Sequence, residues 1–351
     1  MMENEFNSPA KSEPVQQSGR ENPYAGVNTD PVMLRADSVR SEISRVIVGQ
    51  HEMLELLLAA LFTGGHVLLE GVPGIAKTLA AKLLAKTVRA DFSRIQFTPD
   101  LMPSDVIGTS VFNMKTSDFS FREGPVFSNI VLIDEINRAP AKTQSALFEV
   151  MEERQVTVDG VTRRMSDPFF VVATQNPVEQ EGTYKLPEAQ LDRFLFRIIL
   201  SYPGLEEEQQ ILRRFRDDFH GAIRESVNAV LSPADIAESQ RIIEQVYIRE
   251  ELLTYIATIV HNTRNNPDIF LGASPRASLS LLKSAKAVAA MSGRNFVTPD
   301  DIRFVAYPVL NHRIILTPER EMEGYSSREV LEEIIKNVEV PVLGVDLLAL
   351  P

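Results

Sequence analysis

Short apolar runs recur through the first half of the chain and are separated by stretches of helical periodicity. The runs cover residues 66–69, 92–97, 130–133, 169–173 and 194–200, and their length and composition predict strands. Most of them are continuous rather than alternating, which is typical of strands covered on both faces. The pattern therefore predicts an α/β fold with a doubly wound, mostly parallel five-stranded sheet, whose ligands bind at the carboxyl ends of the strands.

Helical spacing of apolar residues predicts the helices that cover this sheet. It is found over residues 31–48, 50–62, 77–88 and 142–153. Beyond residue 232 the pattern is helical only, and serine-proline or threonine-proline pairs mark the helix starts, with a hydroxyl at the cap and proline at the first helical position. These pairs begin at Ser232, Ser274 and Thr298. A compact helical bundle is expected there.

Two segments interrupt the alternation of strands and helices. Residues 107–121 predict a hairpin-like excursion, and residues 155–162 predict a clearer hairpin because Asp159 and Gly160 favour a tight turn. Loops that protrude from a rigid scaffold often carry function, although they can also be inert.

These patterns divide the chain into five regions. Residues 1–30 are polar and nearly free of apolar side chains, so they predict a disordered tail. Residues 31–203 form the α/β domain, residues 204–231 a linker and residues 232–317 the helical domain. Residues 318–351 predict one more helix, which a capping box of serine and glutamate begins, and an extended tail.

Composition narrows the class of protein and of partner. With 351 residues the chain can bury two cores. Its formal net charge of −12 disfavours nucleic acid, since binding a phosphate backbone requires a basic surface, and the pair Arg163 and Arg164 is the candidate exception. The absence of cysteine excludes disulfides and thiolate metal sites. We find neither a signal peptide nor a membrane segment, so a cytoplasmic protein is expected.

A glycine-rich turn lies between the first predicted strand and the helix at 77–88. It consists of Gly71, Val72, Pro73, Gly74, Ile75, Ala76, Lys77 and Thr78, and Leu79 begins the apolar face of the helix. This order predicts a phosphate cradle, because consecutive backbone N–H groups converge at a helix N-terminus, where anions bind favourably. Lys77 is expected to reach the β- and γ-phosphates and Thr78 to ligate Mg²⁺. The sequence therefore predicts binding of ATP with Mg²⁺.

Ala76 departs from the usual form of this turn, in which glycine precedes the lysine. Alanine is tolerated at this position only if its φ stays negative, so the predicted phosphate cradle requires a negative φ at Ala76. The plainer alternative for the whole segment is a helix-capping turn with an incidental lysine and threonine.

Polar side chains follow two of the predicted strands. Asp134 is placed to hold Mg²⁺, mostly through water because that ion dehydrates reluctantly. Glu135 can orient or deprotonate an attacking water. Asn176 can donate to the γ-phosphate or to the water, although asparagine before proline is also a plain turn former. For the acids, the alternative is a solvated strand end.

Several motifs together resemble the MoxR family of AAA+ ATPases. Besides the glycine-rich turn, they are Asp-Glu-Ile-Asn-Arg-Ala-Pro at 134–140, Ala-Thr-Gln-Asn-Pro at 173–177, Leu-Pro-Glu-Ala-Gln-Leu-Asp-Arg-Phe at 186–194 and Ser-Pro-Arg at 274–276. The first of these separates the family from most other AAA+ groups. The similarity covers about residues 46–310.

The resemblance implies a P-loop AAA+ core followed by a small helical lid, a hexameric ring with ATP at the subunit interfaces, and loops that face a central pore. Arg193 takes the place of the arginine finger that reaches a neighbour's γ-phosphate. Arg276 matches the lid arginine that senses nucleotide, in its own subunit or in the next one. The stretch beside adenine is matched by Val48, Gly49 and Gln50.

The chemistry of arginine supports such roles independently. Its guanidinium keeps its charge and grips phosphate oxygens with a planar fork. Arg193 precedes an apolar strand, at a position that does not suit core packing. The alternatives are a salt bridge of Arg193 with Asp192 or Glu188, and Arg197 as the finger instead.

The sequence thus predicts an ATP hydrolase that remodels or matures partner proteins, as a chaperone does. The resemblance alone implies its clients, which often carry von Willebrand factor A domains. Two alternatives stay open. One is a nucleic-acid-dependent motor, supported by Arg163 and Arg164, and the other is a nucleotide-gated scaffold with little turnover, for which Ala76 is the motive. A phosphotransferase is disfavoured because no site for a small acceptor is evident.

Overall fold

The described part of the chain begins within the predicted N-terminal tail. The structure, a computed structural model, describes residues 26–341 apart from 73, 116, 178–182, 185, 219–222 and 224–225. Most of the tail predicted over residues 1–30, and the end of the extended tail from residue 342 onward, therefore lie outside the described residues.

Most strands occur where the apolar runs and the hairpin segments predict them, but two short paired strands within residues 232–317 contradict the expectation of helices only. In chain order they are β1 (Val67–Glu70), β2 (Phe92–Gln96), β3 (Gly108–Asn113), β4 (Asp118–Glu123), β5 (Ile130–Asp134), β6 (Gln155–Val158), β7 (Val161–Arg164), β8 (Phe170–Gln175), β9 (Phe196–Ile199), β10 (Ile269–Leu271) and β11 (Ile315–Leu316). Within the described residues, five of them form one parallel sheet in the order β2, β5, β8, β1, β9. The predicted five-stranded parallel sheet is confirmed.

Helices flank this sheet and continue beyond it. In chain order they are α1 (Asp30–Ser44), α2 (His51–Thr63), α3 (Lys77–Thr87), α4 (Pro103–Ile107), α5 (Ala141–Glu153), α6 (Glu188–Leu191), α7 (Leu205–Phe215), α8 (Pro233–Glu244), α9 (Glu250–Arg264), α10 (Pro275–Met291), α11 (Pro299–Leu310), α12 (Pro318–Met322) and α13 (Ser327–Asn337). Across residues 26–341, outside the gaps given above, none of the helices is long and apolar enough to cross a membrane.

The helix starts follow the predicted caps, and the differences lie elsewhere. The proline pairs begin α8, α10 and α11, and the hydroxyl of Ser232 accepts a hydrogen bond from the backbone of Asp235. The helix predicted over 31–48 ends at Ser44, because the residues after it turn toward the glycine-rich turn and line a cavity there. Four of the described helices were not predicted, namely α4, α6, α7 and α12, and α7 occupies the start of the predicted linker.

The sheet separates two hydrophobic cores, because successive residues of a strand point to opposite faces. In β1, Val67 and Leu69 join the core that contains α1, α2 and α3, whereas Leu68 joins the core that contains α5. Tyr255 of α9 and Leu281 of α10 belong to the first core. The helical region 232–317, called the lid from here on, therefore packs against the side of the molecule that holds α1 to α3.

Three consecutive residues after α11 fasten the lid to the sheet. The side-chain amide of Asn311 donates to the carbonyl of Arg197 at 2.9 Å. Nε2 of His312 lies 3.0 Å from the carbonyl oxygen of Phe194, and the guanidinium of Arg313 donates to the same carbonyl at 2.7 Å. Because these contacts reach the backbone of β9 and the residues before it, the lid and the core domain are joined at a fixed point.

Both predicted hairpins are present, as β3–β4 and β6–β7. At the tip of the second, Asp159 and Gly160 have φ of 53° and 76°, the positive values that a tight hairpin turn requires. The hydroxyl of Ser110 in β3 donates to the carboxylate of Asp159, and the guanidinium of Arg163 lies 3.9 Å from the ring centre of Phe121. The two hairpins therefore pack against each other.

His66 lies just before β1 as a buried, neutral ring. Its Nδ1 accepts a hydrogen bond from the backbone N–H of Val171 at 3.1 Å, and its Nε2 lies 3.3 Å from the carbonyl oxygen of Met151. Burial, reinforced by the charge of Arg154, lowers the pKa of His66 to about 3. Burial also lowers the pKa of His312 well below its usual value. Both rings therefore fold in the uncharged form.

We expect the free energy of unfolding to fall as the pH drops below about 6.5. In that range each of the two histidines binds a proton in the unfolded chain but not in the folded one. Each of them therefore lowers the free energy of unfolding by up to about 1.4 kcal/mol per pH unit. Urea unfolding at several pH values between about 7 and 5 measures this slope. His66→Gln should reduce the slope and the exposed His261→Gln should not. Equal slopes in the two variants would contradict the assignment.

Candidate functional site

A cavity of about 830 Å³ lies at the carboxyl ends of β5, β8 and β1. It is lined by Val46, Ile47, Val48, Gln50, Gly74, Ile75, Ala76, Lys77, Thr78, Leu79, Lys82, Arg94, Gln96, Asp134, Glu135, Thr174, Gln175, Asn176, Pro203, Ile211 and Phe215. One part of the lining carries charged and hydroxyl-bearing side chains, among them Lys77, Thr78 and Asp134. Another part is apolar and is formed by residues 46–48 and α7. Both its volume and this combination suit a small ligand with a polyanionic part and an apolar part.

The glycine-rich turn carries β1 into α3 beside this cavity. A Cβ on Gly71 would lie 2.8 Å from the carbonyl oxygen of Leu200, so the chain packs too closely there for a larger residue. Nζ of Lys77 donates to the carbonyls of Gly71 and Gln175, the latter at 3.0 Å. Gly74 to Thr78 line the cavity, whereas Gly71 and Val72 do not and Pro73 is outside the described residues.

Ala76 has a φ of 65°, so the expectation of a negative φ was wrong. The residue is the N-cap of α3, and the chain must enter the helix from a left-handed turn at this point. For alanine this conformation costs about 1–2 kcal/mol, because its Cβ crowds the following carbonyl. The turn therefore holds local strain where it adjoins Lys77.

Ala76→Gly should raise the free energy of unfolding by up to about 1 kcal/mol. The change relieves the strain, and the greater freedom of glycine in the unfolded chain offsets part of the gain. Chemical denaturation measures the difference. Ala85→Gly, within the regular part of α3, is the control and should lose about 1 kcal/mol. If both variants lose stability equally, the strain at Ala76 is not significant.

Asp134, at the end of β5, is buried and has partners on both carboxylate oxygens. The hydroxyl of Thr78 donates to Oδ1 at 2.8 Å, and that of Thr174 donates to the same atom at 3.2 Å. Nε of Arg94 donates to Oδ2 at 2.6 Å. The Thr78 and Asp134 oxygens are the kind of ligand that Mg²⁺ prefers, so the residues fit that ion. No group of three or more histidine, cysteine or acidic residues suited to a metal occurs among the described residues.

Glu135 follows Asp134, and several contacts hold its side chain and backbone in place. Its φ is 58°, an uncommon conformation for glutamate that occurs often at functional sites. Nε2 of Gln96 donates to Oε2 at 2.7 Å, and Nε of Arg138 lies 3.1 Å from the same oxygen. The backbone N–H of Glu135 donates to the hydroxyl of Thr174 at 3.1 Å. The carboxylate is thus held at the cavity, where it can accept a proton.

Arg94 and Gln96 of β2 were not predicted as site residues, although their side chains contact Asp134 and Glu135. In the sheet, β2 runs beside β5 and places Gln96 opposite Asp134. The polar residues of β2 can be read from the sequence, but the sequence does not show that β2 lies beside β5 in the sheet. Asn176, by contrast, lies directly after β8 and lines the cavity as predicted.

The stretch compared with an adenine-binding segment is only partly in the cavity. Val48 and Gln50 line it, and Gly49 between them does not. Gly49 has a φ of 68°, and a Cβ there would lie 2.1 Å from the carboxylate of Glu207 in α7. Glycine suits the positive φ at this position, and α7, which was not predicted, contributes Ile211 and Phe215 to the cavity.

Arg193 and Arg276 lie away from this cavity and do not line it. Nε of Arg193 lies 3.2 Å from Glu152, and Arg276 lies 2.9 Å from the same carboxylate. The rival finger, Arg197, donates to both oxygens of Glu70 at 2.8 and 2.9 Å and is held within the sheet. The two predicted arginines are thus brought together with each other, but not with the phosphate turn of the same chain.

Two regions of the chain match known protein families. Residues 66–196 match the ATPase family associated with various cellular activities (AAA). Residues 261–334 match the AAA lid domain. The first region contains the sheet and the cavity, and the second contains much of the lid.

Individual relatives extend over most of the chain. It is 50% identical over 300 residues to the uncharacterized protein YeaC of Bacillus subtilis, a match that covers 86% of this chain and 93% of that protein. It is 44% identical over 309 residues to Chaperone MoxR1 of Mycobacterium tuberculosis, covering 86% and 81%. A crystal structure from Cytophaga hutchinsonii, proposed to be an ATPase, has a TM-score of 0.81 at 46% identity and covers 89% of this chain and 98% of that one.

These similarities agree with the architecture and the cavity. Both the sheet domain and the lid match their counterparts in AAA proteins, and the identity to MoxR1 extends through both. The protein is therefore an ATP hydrolase with an α/β nucleotide-binding core and a helical lid. This chain belongs to the MoxR family of AAA+ ATPases.

Proposed function

We propose that this ATPase binds ATP with Mg²⁺ in the cavity at the strand ends and uses hydrolysis to remodel or mature partner proteins. The observation that carries the proposal is the presence of Lys77, Thr78, Asp134 and Glu135 around one cavity. Together they offer the positive charge, the oxygen ligands and the base that phosphoryl transfer to water requires.

Each of these side chains has its own role in the proposal. The ammonium of Lys77, which contacts the carbonyls of Gly71 and Gln175, would bind β- and γ-phosphate oxygens in their place. The hydroxyl of Thr78 and the carboxylate of Asp134 hold Mg²⁺, which when bound neutralises phosphate charge. Glu135 accepts a proton from the attacking water, and Asn176 donates to the γ-phosphate.

The apolar part of the cavity suits the base of the nucleotide. Val48, Ile211 and Phe215 supply apolar surface, and Gln50 adds a polar side chain. Because Ile211 and Phe215 belong to α7, which leads out of the core domain toward the lid, the position of α7 can depend on the bound nucleotide. A ligand with different affinity for two arrangements of α7 shifts the balance between them.

Arg193 and Arg276 act on the nucleotide of a neighbouring subunit in this proposal. Their side chains are 29% and 61% exposed, and neither reaches the cavity of its own chain. Such a placement supports an oligomer, expected to be a hexameric ring, in which each cavity is completed by the next subunit. It also favours action in trans for Arg276, which the sequence left open.

The β3–β4 hairpin supports contact with client proteins. Phe112 and Phe119 form a ring pair with centres 5.1 Å apart, yet their exposures are 49% and 68%. Apolar surface of this kind on a protruding hairpin suits a polypeptide ligand. We therefore propose client proteins as substrates, including proteins with von Willebrand factor A domains.

A nucleic-acid motor has less support in the structure. Arg163, half of the basic pair on which that alternative depends, stacks on Phe121, and the chain is acidic overall. Single-stranded DNA should therefore not raise the rate of ATP hydrolysis at low salt. A rise that depends on Arg163 and Arg164 would favour the motor instead.

A trapped variant tests the proposed function. Glu135→Gln protein should bind ATP with Mg²⁺ in calorimetry, assemble into a larger species by light scattering, and retain partner proteins with ATP but not with ADP. Lys77→Ala protein is the matched control and should do none of these. If the trapped variant binds ATP without retaining any partner, the remodelling role fails; if it binds no nucleotide, the assignment of the cavity fails as well.

A further inference from the structure

Charged side chains alternate in sign where the core domain meets the lid. Nε of Arg193 lies 3.2 Å from Oε2 of Glu152, and Nη2 of Arg276 lies 2.9 Å from Oε1 of the same carboxylate. Arg276 also lies 3.9 Å from Asp192, which accepts a hydrogen bond from Arg313 at 2.7 Å. Glu152 thus links the two arginines that the proposed function places at the subunit interface.

Arg193, Glu152, Arg276, Asp192 and Arg313 form a series of alternating charge, whose inner end is Asp192 and Arg313. This inner end is held in place by several hydrogen bonds. The side chain of Arg313 is 3% exposed and donates to the carbonyls of Asp192, Phe194 and Leu195 at 3.1, 2.7 and 3.2 Å. Asp192 therefore has a close and buried cationic partner, which leaves it a weaker contact with Arg276. As a result, the closest carboxylate that holds Arg276 is Glu152.

The outer end of the series is partly accessible, because the side chains of Arg193 and Arg276 are 29% and 61% exposed. Nε of Arg193 is within ion-pair distance of Glu152 but is not aligned for a hydrogen bond with it, whereas Nη1 of Arg193 donates to the carbonyl of Ala189 at 3.3 Å. Two guanidinium groups at close range repel each other unless an anion lies between them. One carboxylate between two arginines allows them to sit together and still leaves a net positive charge, which suits a phosphate group.

We propose that Glu152, the next-to-last residue of α5, is a positioning residue that presents Arg193 and Arg276 as a pair to the nucleotide of the neighbouring subunit. The inference rests on the proposed function, because it requires ATP at an interface between subunits. Glu152 does not line the cavity of its own chain, so its removal should impair the neighbour's site and leave its own intact.

The first measurement compares two neighbouring glutamates. Glu152→Gln should lower kcat by about 10- to 100-fold while ATP affinity stays within about twofold of the unaltered protein. Glu153→Gln is the control, because Glu153 is exposed and forms no ion pair in the part of the chain that the structure describes. Circular dichroism and thermal unfolding confirm that both variants fold. An unchanged kcat in Glu152→Gln, or a loss of ATP affinity equal to the loss of kcat, would overturn the inference.

The second measurement mixes subunits. Glu152→Gln subunits keep an intact cavity, and Lys77→Ala subunits keep Glu152 and both arginines. In a mixed oligomer, some interfaces therefore combine the intact cavity of one subunit with the intact arginine pair of its neighbour. The rate of the mixture should exceed the sum of the separate rates by about severalfold. An Arg193→Ala and Lys77→Ala mixture is run alongside and should show the same gain.

The paired mixtures separate this inference from the proposed function. A gain for Arg193→Ala without a gain for Glu152→Gln would overturn the role of Glu152 and leave the proposed function standing. If neither mixture gains activity, the arginines do not act on the nucleotide of a neighbouring subunit. In that case both the role of Glu152 and this part of the proposed function fail. If Glu152→Gln does not fold, Glu152→Asp takes its place, because it keeps the charge on a shorter side chain. Its rate should fall by a few-fold and recover on mixing, and a normal rate would overturn the inference.

Discussion

Glu135→Gln should lower the rate of ATP hydrolysis by about 10²- to 10⁴-fold and leave ATP binding in place. The amide has the shape of the carboxylate and can still accept the hydrogen bond from Gln96, but it cannot take a proton from water. Arg94, Thr78 and Asp134 are untouched by the change, so the phosphate end of the cavity keeps its charge. Steady-state phosphate release and calorimetry measure the two quantities separately.

The control for this prediction is Glu149→Gln. Glu149 lies on the exposed face of α5, away from the cavity lining, so its loss of charge should change neither the rate nor the affinity. A rate in Glu135→Gln within about tenfold of the unaltered protein would show that another group activates the water. A parallel loss of ATP affinity would instead show that Glu135 holds the nucleotide rather than the water.

Much of the site was predictable because its main residues belong to short continuous patterns. Lys77 and Thr78 follow an apolar strand and a glycine turn, and Asp134 and Glu135 end another strand. Because the carboxyl ends of parallel strands lie at the same edge of a sheet, residues that follow such strands meet at that edge. The structure accordingly brings all four to one cavity together with Asn176.

The remaining residues depend on information that a single sequence does not contain. Arg94 and Gln96 reach the acidic pair because β2 lies beside β5, and strand order cannot be read from periodicity. The apolar residues of α7 were hidden in a run of glutamates, which favoured a linker over a helix. The contact of Glu152 with Arg193 and Arg276 joins three distant segments.

The conformation of Ala76 was mispredicted for a different physical reason. The expectation followed the intrinsic preference of alanine for negative φ, which holds for an isolated residue. Here Ala76 is the N-cap at which the glycine-rich turn enters α3, and its carbonyl accepts a hydrogen bond from the backbone N–H of Ala80 at 2.8 Å. Local propensity therefore failed where surrounding structure determines the backbone, which is common at functional sites.

Arg193→Ala should lower the rate of ATP hydrolysis by about 10³- to 10⁵-fold, equivalent to about 4–7 kcal/mol of barrier. The guanidinium is proposed to stabilise charge on the γ-phosphate of the neighbouring subunit's ATP as the transition state forms. Its own chain's cavity does not include it, so ATP affinity should stay within about twofold. Phosphate release and calorimetry on the same preparation measure both effects.

Arg197→Ala distinguishes the finger from its rival. Arg197 and Glu70 share two hydrogen bonds, and their side chains are 25% and 9% exposed. Removing the arginine leaves a buried carboxylate unpaired, so the free energy of unfolding should fall by about 3 kcal/mol while turnover per folded subunit changes little. The opposite result, a folded Arg197→Ala protein without turnover beside an active Arg193→Ala protein, would transfer the role of the finger to Arg197. The ion pair with Glu70 argues against that outcome, because a guanidinium held inside the sheet of its own subunit is not free to reach another.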